Sequence, residues 1–339
     1  MHEGRYERYV LRFLFEARTS REKMWEKETY FVTLYDSETG RTGRGECALF
    51  RGLSADDRPD YTSLLEYYCA HPHEAPDCPY SSIRMGFETA LRDLESTDGC
   101  LFPGAGPWVD GREGIVINGL VWMGDKATML RRVREKIDAG FSVLKLKIGG
   151  INFEEECEIL AAIRQEYAAS DLTIRLDANG SFTPRNALQR LDRLSNFDIH
   201  SLEQPIAACQ AEESARICRE SPIAIALDEE LIGCRTEAAS AALLDAIKPQ
   251  YIILKPTLCG GFAGADSWIS EAEKRNIGWW ATSALESNVG LNAIAQWVAA
   301  KRPTLPQGLG TGQLYANNTP THMMLRGEKL YNDGLTSKD

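Results

Sequence analysis

The sequence contains no apolar run that approaches the roughly 18 residues needed to cross a membrane. Its first residues are charged and lack the apolar stretch of a secretory signal. The nine cysteines are odd in number and include no C-x-x-C pair. Without an export signal we expect them to be reduced, mostly buried thiols. These absences together predict a cytoplasmic protein.

Basic residues are too few for a polyanionic partner. Lys and Arg number 38 against 49 Asp and Glu, which gives a net charge of −11. This balance argues against nucleic acid or an anionic membrane surface as the main partner. A small-molecule carboxylate substrate stays compatible, because a bound metal or a pair of lysines reverses the field inside one pocket. No G-x-G-x-x-G motif opens a helix, which argues against a dinucleotide-binding sheet.

The 339 residues divide into two patterns. Residues 1–112 carry strand-like segments at 8–15 and 28–36, followed by turn-rich stretches and a helix-like run at 81–94. Strands first and helices after are typical of an α+β domain. The second pattern fades after residue 312. We therefore expect residues 313–339 to pack back on residues 1–112 and complete an α+β capping domain.

Strand-like and helical patterns alternate about seven times over residues 113–312. The strand-like runs lie at 116–122, 143–148, 172–178, 199–204, 223–228, 251–256 and 277–284. Helical patterns lie between them, at 125–139, 184–194, 236–247, 262–275 and 291–300. Such alternation indicates parallel βα units. We predict an α/β fold, a (β/α)7β-type TIM barrel whose eighth strand is short and lies at 305–310.

Charged side chains stand at the carboxyl ends of five successive predicted strands. They are Lys147, Asp177, Glu203, Asp228 and Lys255, separated by 25 to 30 residues, or about one βα unit. The carboxyl ends of barrel strands form the face on which active sites are built. Each charged residue taken alone could form a salt bridge at the end of its strand. Five at a regular spacing favour one shared site, because buried ionised groups must compensate one another.

Three carboxylates on successive strands repel one another unless a cation lies between them. Oxygen ligands favour a hard ion, so we expect Mg²⁺, with Mn²⁺ as the alternative. No His or Cys lies at a corresponding strand end, which argues against zinc. A lysine beside such a cation loses its proton more easily and can act as a general base. The set suggests removal of a proton next to a carboxylate, through an enediolate.

Other groupings stay open as weaker interpretations. Cys69, His71 and His73 could form a metal clip, but they lie in a Pro-rich stretch without a fourth ligand. Ser283 has no obvious His or acid partner for a hydrolase triad. Residues 308–312, Gly-Leu-Gly-Thr-Gly, could be a phosphate loop or a simple turn. A barrel that binds a metabolite without turnover would be expected to lose one of the five charged residues.

The same residues form motifs that resemble a known family. The motifs are K-x-K at 145–147, R-x-D-A-N at 175–179, L-E-Q-P at 202–205, L-D-E at 227–229 and L-K-P at 254–256. In this order and spacing they resemble the enolase superfamily, muconate-lactonizing subgroup, across the whole barrel. That family uses Lys or His bases with Mg²⁺ and an enediolate. Residues 29–32 and 45–48 resemble its capping domain, whose loops close over the barrel mouth.

The resemblance implies a role for each motif residue. The implied catalytic residues are Lys147 and Lys255, and the implied metal ligands are Asp177, Glu203 and Asp228. The residues implied to support these groups without touching substrate or metal are Lys145, Arg175, Asn179 and Glu229. Of these, Lys145 and Arg175 would keep Lys147 neutral and hold it in the direction of the substrate. The implied substrate contacts are Ser283, Ala284 and Gly308.

Within the subgroup, residues 283–291 and 308–312 resemble the dehydrating enzymes of menaquinone synthesis, and residues 45–54 support this resemblance. Their reaction would be a Mg²⁺-dependent syn dehydration of a hydroxycyclohexadiene carboxylate, which makes the protein a lyase. Dipeptide epimerases usually carry Asp-x-Asp where this chain has 308–312, so they fit less well. N-acylamino acid racemase or dipeptide epimerase activity stays the alternative. Glu230 departs from the Ser found in many relatives. The sequence does not predict the oligomeric state.

Overall fold

The structure is a computed structural model of the chain, and it describes residues 2–18, 23–234 and 236–333. The end of the predicted tail, residues 334–339, lies outside the described residues. Within the described part, no helix combines the length and apolar character that crossing a bilayer would need.

The N-terminal part is an antiparallel sheet covered by helices. Its strands β1 (His2–Arg18), β2 (Lys23–Asp36) and β3 (Thr42–Cys47) pair in that order. Helices α1 (Tyr61–Ala70) and α2 (Ser81–Glu95) pack on it, joined by a 3-10 turn at Pro72–Asp77. Tyr30, Val32 and Leu34 alternate along β2 and are buried against these helices. This part matches the predicted α+β capping domain.

Seven parallel strands and seven helices form the barrel. After the short helix α3 (Gly106–Val109) and strand β4 (Ile115–Val116), the barrel strands are β5 (Gly119–Val121), β6 (Val143–Lys147), β7 (Thr173–Asp177), β8 (Ile199–Glu203), β9 (Ala224–Leu227), β10 (Tyr251–Leu254) and β11 (Gly278–Ala281). The helices are α4 (Lys126–Asp138), α5 (Phe153–Glu166), α6 (Ala187–Ser195), α7 (Ala211–Glu220), α8 (Glu237–Ile247), α9 (Gly261–Glu273) and α10 (Asn288–Lys301). A second 3-10 turn lies at Glu229–Leu231.

An eighth segment closes the barrel. Gln307 pairs with Ile117 in parallel, and Gly308 pairs with Thr282. The backbone N–H of Gly308 donates to Ala281 at 2.7 Å, and the N–H of Asn118 donates to Gln307 at 2.9 Å. The predicted (β/α)7β barrel is confirmed. Its first predicted strand, 116–122, is broken into β4 and β5 where the chain changes partner.

The C-terminal residues contact two different regions. The carbonyl of Leu314 accepts from the N–H of Leu14 at 2.9 Å, and Tyr315 bridges to Phe13 of β1. Beyond them, β12 (Met323–Arg326) and β13 (Lys329–Asn332) form a ribbon that pairs with β4. The tail therefore joins the N-terminal sheet to the start of the barrel. The domain boundaries at 112 and 312 stay predictions.

Candidate active site

Strand register brings the predicted residues to one end of the barrel. Lys147 at the end of β6 lies opposite Asp177 on β7, and Asp177 lies opposite Glu203 on β8. Asp228 and Lys255 each follow directly after the last residue of their strands. Because parallel strands present their carboxyl ends on one face, all five side chains surround the same mouth.

The carboxylates at this mouth are among the most buried charges in the chain. Asp177, Glu203 and Asp228 are each exposed by 2% or less. Lys145 lies between two of them, with its Nζ 2.9 Å from Asp177 Oδ2 and 2.8 Å from Glu203 Oε1. Buried charges need such partners, since an unpaired ion in the interior is costly. Lys145 therefore acts as a structural counter-ion for the pair.

Lys147 has its own set of contacts. Its Nζ donates to Asp177 Oδ2 at 3.0 Å and to Asn179 Oδ1 at 2.8 Å. The ammonium also lies 5.8 Å from the centre of the Trp122 ring. Asn179 in turn donates through Nδ2 to Glu229 Oε1 at 3.3 Å. This chain of hydrogen bonds fixes the direction of the lysine across the mouth.

Lys255 stands on the other side of the barrel. It follows β10, four strands away from β6 in the eight-membered ring, and its Nζ bonds to Asp228 Oδ2. The two lysines thus approach the mouth from opposite walls. A planar molecule bound between them would present one face to each.

Burial and neighbouring charges move the pKa values in this cluster in different directions. Burial raises the pKa of Glu203, and Asp177 adds to the rise, so that it reaches about 8 in spite of Lys145. Burial acts in the same sense on Asp177, but Lys145 and Lys147 outweigh it and hold that pKa far below its usual range. Burial alone would lower the pKa of Lys145, yet the Asp177 and Glu203 carboxylates raise it. The lysines stabilise Asp177 as the anion.

Arg175 contacts groups below the barrel mouth. Its guanidinium donates to the carbonyl of Pro306 at 2.8 Å and lies 4.0 Å from the centre of the Trp280 ring. Residues 145 and 175 are opposite each other in the sheet, one layer below 147 and 177. The arginine therefore supports the floor of the barrel. The role of Arg175 in aiming Lys147 stays a prediction.

A cavity of about 710 Å³, measured with its open mouth, lies at this end of the barrel. Of the three carboxylates only Asp177 lines it. The three predicted substrate contacts, Ser283, Ala284 and Gly308, line it together with both catalytic candidates. The sequence analysis assigned no cavity contact to the other lining residues, namely Phe50, Leu53, Asn118, Leu120, Trp122, Leu258, Thr282, Leu285, Gly310 and Thr311. Of these, Leu285, Gly310 and Thr311 lie in the segments 283–291 and 308–312 that carried the family resemblance. Trp122 ends the first predicted strand, so the strand-end rule could have found it. Phe50 and Leu53 come from the N-terminal part, where no such rule applies.

Comparison with known proteins decides the family. The family model described as "Enolase C-terminal domain-like" matches residues 128–336. The o-succinylbenzoate synthase of Desulfotalea psychrophila is 45% identical, over 96% of this chain and 97% of the relative. The chain belongs to the enolase superfamily.

Solved structures agree with this membership. The crystal structure of MenC from Desulfotalea psychrophila has a TM-score of 0.83 and 41% identity, and the match covers 97% of this chain and 99% of that one. A dipeptide epimerase from Enterococcus faecalis, complexed with Mg and the dipeptide L-Leu-L-Tyr, has the same TM-score at 18% identity, over 98% of this chain and 96% of that one. The second match shows a shared fold alone.

The donor set suits the hard cation used by the superfamily. Asp177, Glu203 and Asp228 supply carboxylate oxygens from three adjacent strands, and oxygen donors are what Mg²⁺ prefers. Among the described residues, no three His, Cys, Asp or Glu side chains already form a compact metal cage. Instead each carboxylate contacts a lysine. The chemistry of the three oxygen donors fits the ion.

The alternative metal clip is not formed in the described residues. His71 stacks on Tyr67 with ring centres 4.5 Å apart, and its Nδ1 lies 2.9 Å from the Tyr67 carbonyl. Cys69 is buried in the N-terminal core. These residues serve local packing in the structure.

Replacing Lys145 by Met should destabilise the fold strongly. The change leaves Asp177 and Glu203 buried beside each other without their shared cation, so we expect the free energy of unfolding to fall by about 3–5 kcal/mol. Urea unfolding at neutral pH in chelator measures it. The matched control is Lys126→Met, which removes an exposed ion pair with Glu158 (2.6 Å) and should cost less than about 1 kcal/mol. Equal losses would contradict the prediction.

Proposed function

We propose that this chain is an o-succinylbenzoate synthase, which dehydrates SHCHC, a succinylated hydroxycyclohexadiene carboxylate, to an aromatic product. The observation that carries the proposal is the 45% identity, over nearly the whole chain, to a relative named for that reaction. The complete set of lysines and carboxylates at the barrel mouth supports it. The assignment makes the protein a lyase and gives it a place in menaquinone synthesis in the cytoplasm.

Lys147 is the proposed base. From the β6 wall it removes the proton on the carbon next to the substrate carboxylate. The hydroxyl group then leaves from the same face, and the resulting lysine ammonium returns the proton to it, so that water departs. The two electrons of the broken C–H bond complete the aromatic ring. Asn179 holds Lys147 Nζ at 2.8 Å and keeps it on this face.

Lys255 has a different proposed task. It faces the substrate from the opposite wall and gains no proton in a syn elimination. Its positive charge stabilises the negative charge that develops on the substrate, either by direct electrostatic attraction or by a cation–π contact with the ring face. Asp177, Glu203 and Asp228 would hold a Mg²⁺ ion, which would supply further positive charge near the substrate carboxylate. Ser283, Ala284 and Gly308 form the wall that positions the remainder of the molecule.

Dehydration should be the main activity of the purified protein. The test is turnover of SHCHC with and without Mg²⁺, beside a panel of N-acyl amino acids and dipeptides. Residues 308–312 lack the Asp-x-Asp of dipeptide epimerases, so we expect aromatic product from SHCHC and far slower racemisation or epimerisation. Two lysines on opposite walls would also suit racemisation. Faster epimerisation than dehydration would therefore replace our proposal by that alternative.

Glu203→Gln should weaken metal binding and reduce the rate by orders of magnitude. The change removes one anionic oxygen from the proposed ligand set while keeping its size. Calorimetric titration with Mg²⁺ and SHCHC turnover measure the two effects. Glu158→Gln on the surface is the control and should match the parent protein. Full activity of the parent in excess chelator would contradict the role of the metal.

Arginine substitutions should separate the two lysines. Arginine keeps the positive charge but does not act as a base near neutral pH. Lys255→Arg should keep measurable dehydration, whereas Lys147→Arg should lose both dehydration and exchange of the substrate's proton with deuterated solvent. Product formation and mass spectrometry follow these reactions. An active Lys147→Arg with an inactive Lys255→Arg would reverse the two assignments.

A further inference from the structure

Glu46 at the end of the N-terminal sheet is a buried carboxylate that the proposed reaction does not use. It lies on β3 and is fully buried. On its own sheet it accepts a hydrogen bond from Thr29 Oγ1 at 2.7 Å. Burial of a carboxylate is favourable only when several donors surround it. The remaining donors come from the barrel.

These donors belong to the first turn of helix α10. The N–H and the hydroxyl of Ser287 donate to Glu46 at 2.9 and 2.6 Å, and the N–H of Gly290 donates at 2.8 Å. Ser287 is also the N-cap residue of the helix, because its Oγ accepts from Val289 N. The start of a helix carries unpaired N–H groups and a partial positive charge, so it favours an anion. Glu46 therefore caps a barrel helix from the neighbouring domain.

The loop before this helix forms a wall of the cavity. Ser283, Ala284 and Leu285 all line it. Leu285 has a φ of 65°, which a branched residue rarely adopts and keeps only when its surroundings enforce it. Its carbonyl accepts from Tyr315 at 2.8 Å, and its N–H donates to Ser283 Oγ at 2.9 Å. The wall is thus a strained loop held at both ends.

Further charges surround the same junction. Glu286 is fully buried and accepts from Ser283 Oγ through Oε2 at 2.7 Å. Lys27 is buried nearby and makes no hydrogen bond within the described chain, and its Nζ lies 5.9 Å from the centre of the Phe50 ring. Phe50 also lines the cavity. Lys27 of the N-terminal sheet therefore contacts a second group that lines the cavity.

We propose that Glu46 is a positioning residue for substrate recognition, which fixes the Ser283 to Leu285 wall by capping helix α10 from the N-terminal sheet. The proposal rests on the proposed function only in taking this cavity as the substrate pocket. Glu46 lines no part of the cavity and acts through Ser287 and the loop. It should therefore affect how tightly substrate is held more than how fast the bound substrate reacts.

Glu46→Gln tests the link with little change in volume. Glutamine offers one acceptor oxygen in place of two, so donors at the start of α10 lose their partner. We expect KM for SHCHC to rise about tenfold while kcat changes less than about twofold. Independently of turnover, amide hydrogen exchange should accelerate in a peptide covering residues 283–291. This second measurement stays informative if the chain does not dehydrate SHCHC, so failure of the positioning role and failure of the proposed function can be told apart.

Glu88→Gln is the matched control. Glu88 is a buried carboxylate of the same domain and accepts from Phe262 N at 2.6 Å at the start of α9. We expect the melting temperature of Glu88→Gln to fall as much as that of Glu46→Gln. Amide hydrogen exchange should accelerate only at residues 260–264, and KM should stay close to that of the parent. If both variants raise KM equally, or if Glu46→Gln leaves KM and exchange at 283–291 unchanged, the proposal is wrong.

Ser287→Ala gives a milder form of the same test if Glu46→Gln does not fold. It removes one donor to Glu46 and the N-cap of α10 together. We expect a smaller rise in KM and faster amide exchange at 283–291, and no change in either would contradict the proposal. Where Glu46→Gln does fold, the Glu46→Gln/Ser287→Ala double variant should raise KM by less than the product of the single effects, because both changes break one interaction. Independent, multiplying effects would overturn the link between Glu46 and the wall.

Discussion

The placement of three carboxylates and three lysines in one buried mouth constrains everything else at the candidate site. Asp177, Glu203 and Asp228 are almost completely buried, and each contacts a lysine. None of these charges could be tolerated alone in the interior. The balance between burial and the neighbouring charges raises the pKa of Glu203 and lowers the pKa of Asp177. A site balanced in this way responds strongly to any added charge, whether from a metal or from a carboxylate substrate.

Parallel strand pairing makes this balance possible. Each βα unit returns the chain to the same face, and the pairing of Lys147 with Asp177 and of Asp177 with Glu203 follows from register. Residues one layer lower, such as Lys145 and Arg175, have the same register but different surroundings. Lys145 reaches up to the carboxylates, whereas Arg175 stacks on Trp280. At one depth in the barrel, the neighbouring side chains therefore decide whether a charged residue contacts the mouth or the floor.

Features that follow from a regular spacing along the chain could be predicted from the sequence. The spacing of the strand-end charges predicted that they would meet, and the alternation of strand and helix predicted the barrel with its weak eighth strand. The sequence could not predict the direction of Arg175, because side-chain packing against Trp280 depends on residues about 105 positions away. It also missed the break between β4 and β5, and Phe50 in the cavity. These features depend on contacts between segments distant in the sequence, which no local pattern encodes.

The barrel alone does not complete the cavity, because residues of the N-terminal part also line it. The lysines and carboxylates belong to rigid strand ends, where neighbouring strands fix their separation. The walls that would contact the remainder of a substrate include Phe50 and Leu53 from the N-terminal part and the strained loop before α10. Glu46 accepts three hydrogen bonds from Ser287 and Gly290 of the barrel and one from Thr29 of its own sheet, and so joins the N-terminal part to the start of α10. On the proposed function, we expect changes at the junction to alter which carboxylate is bound more than they alter the proton transfer.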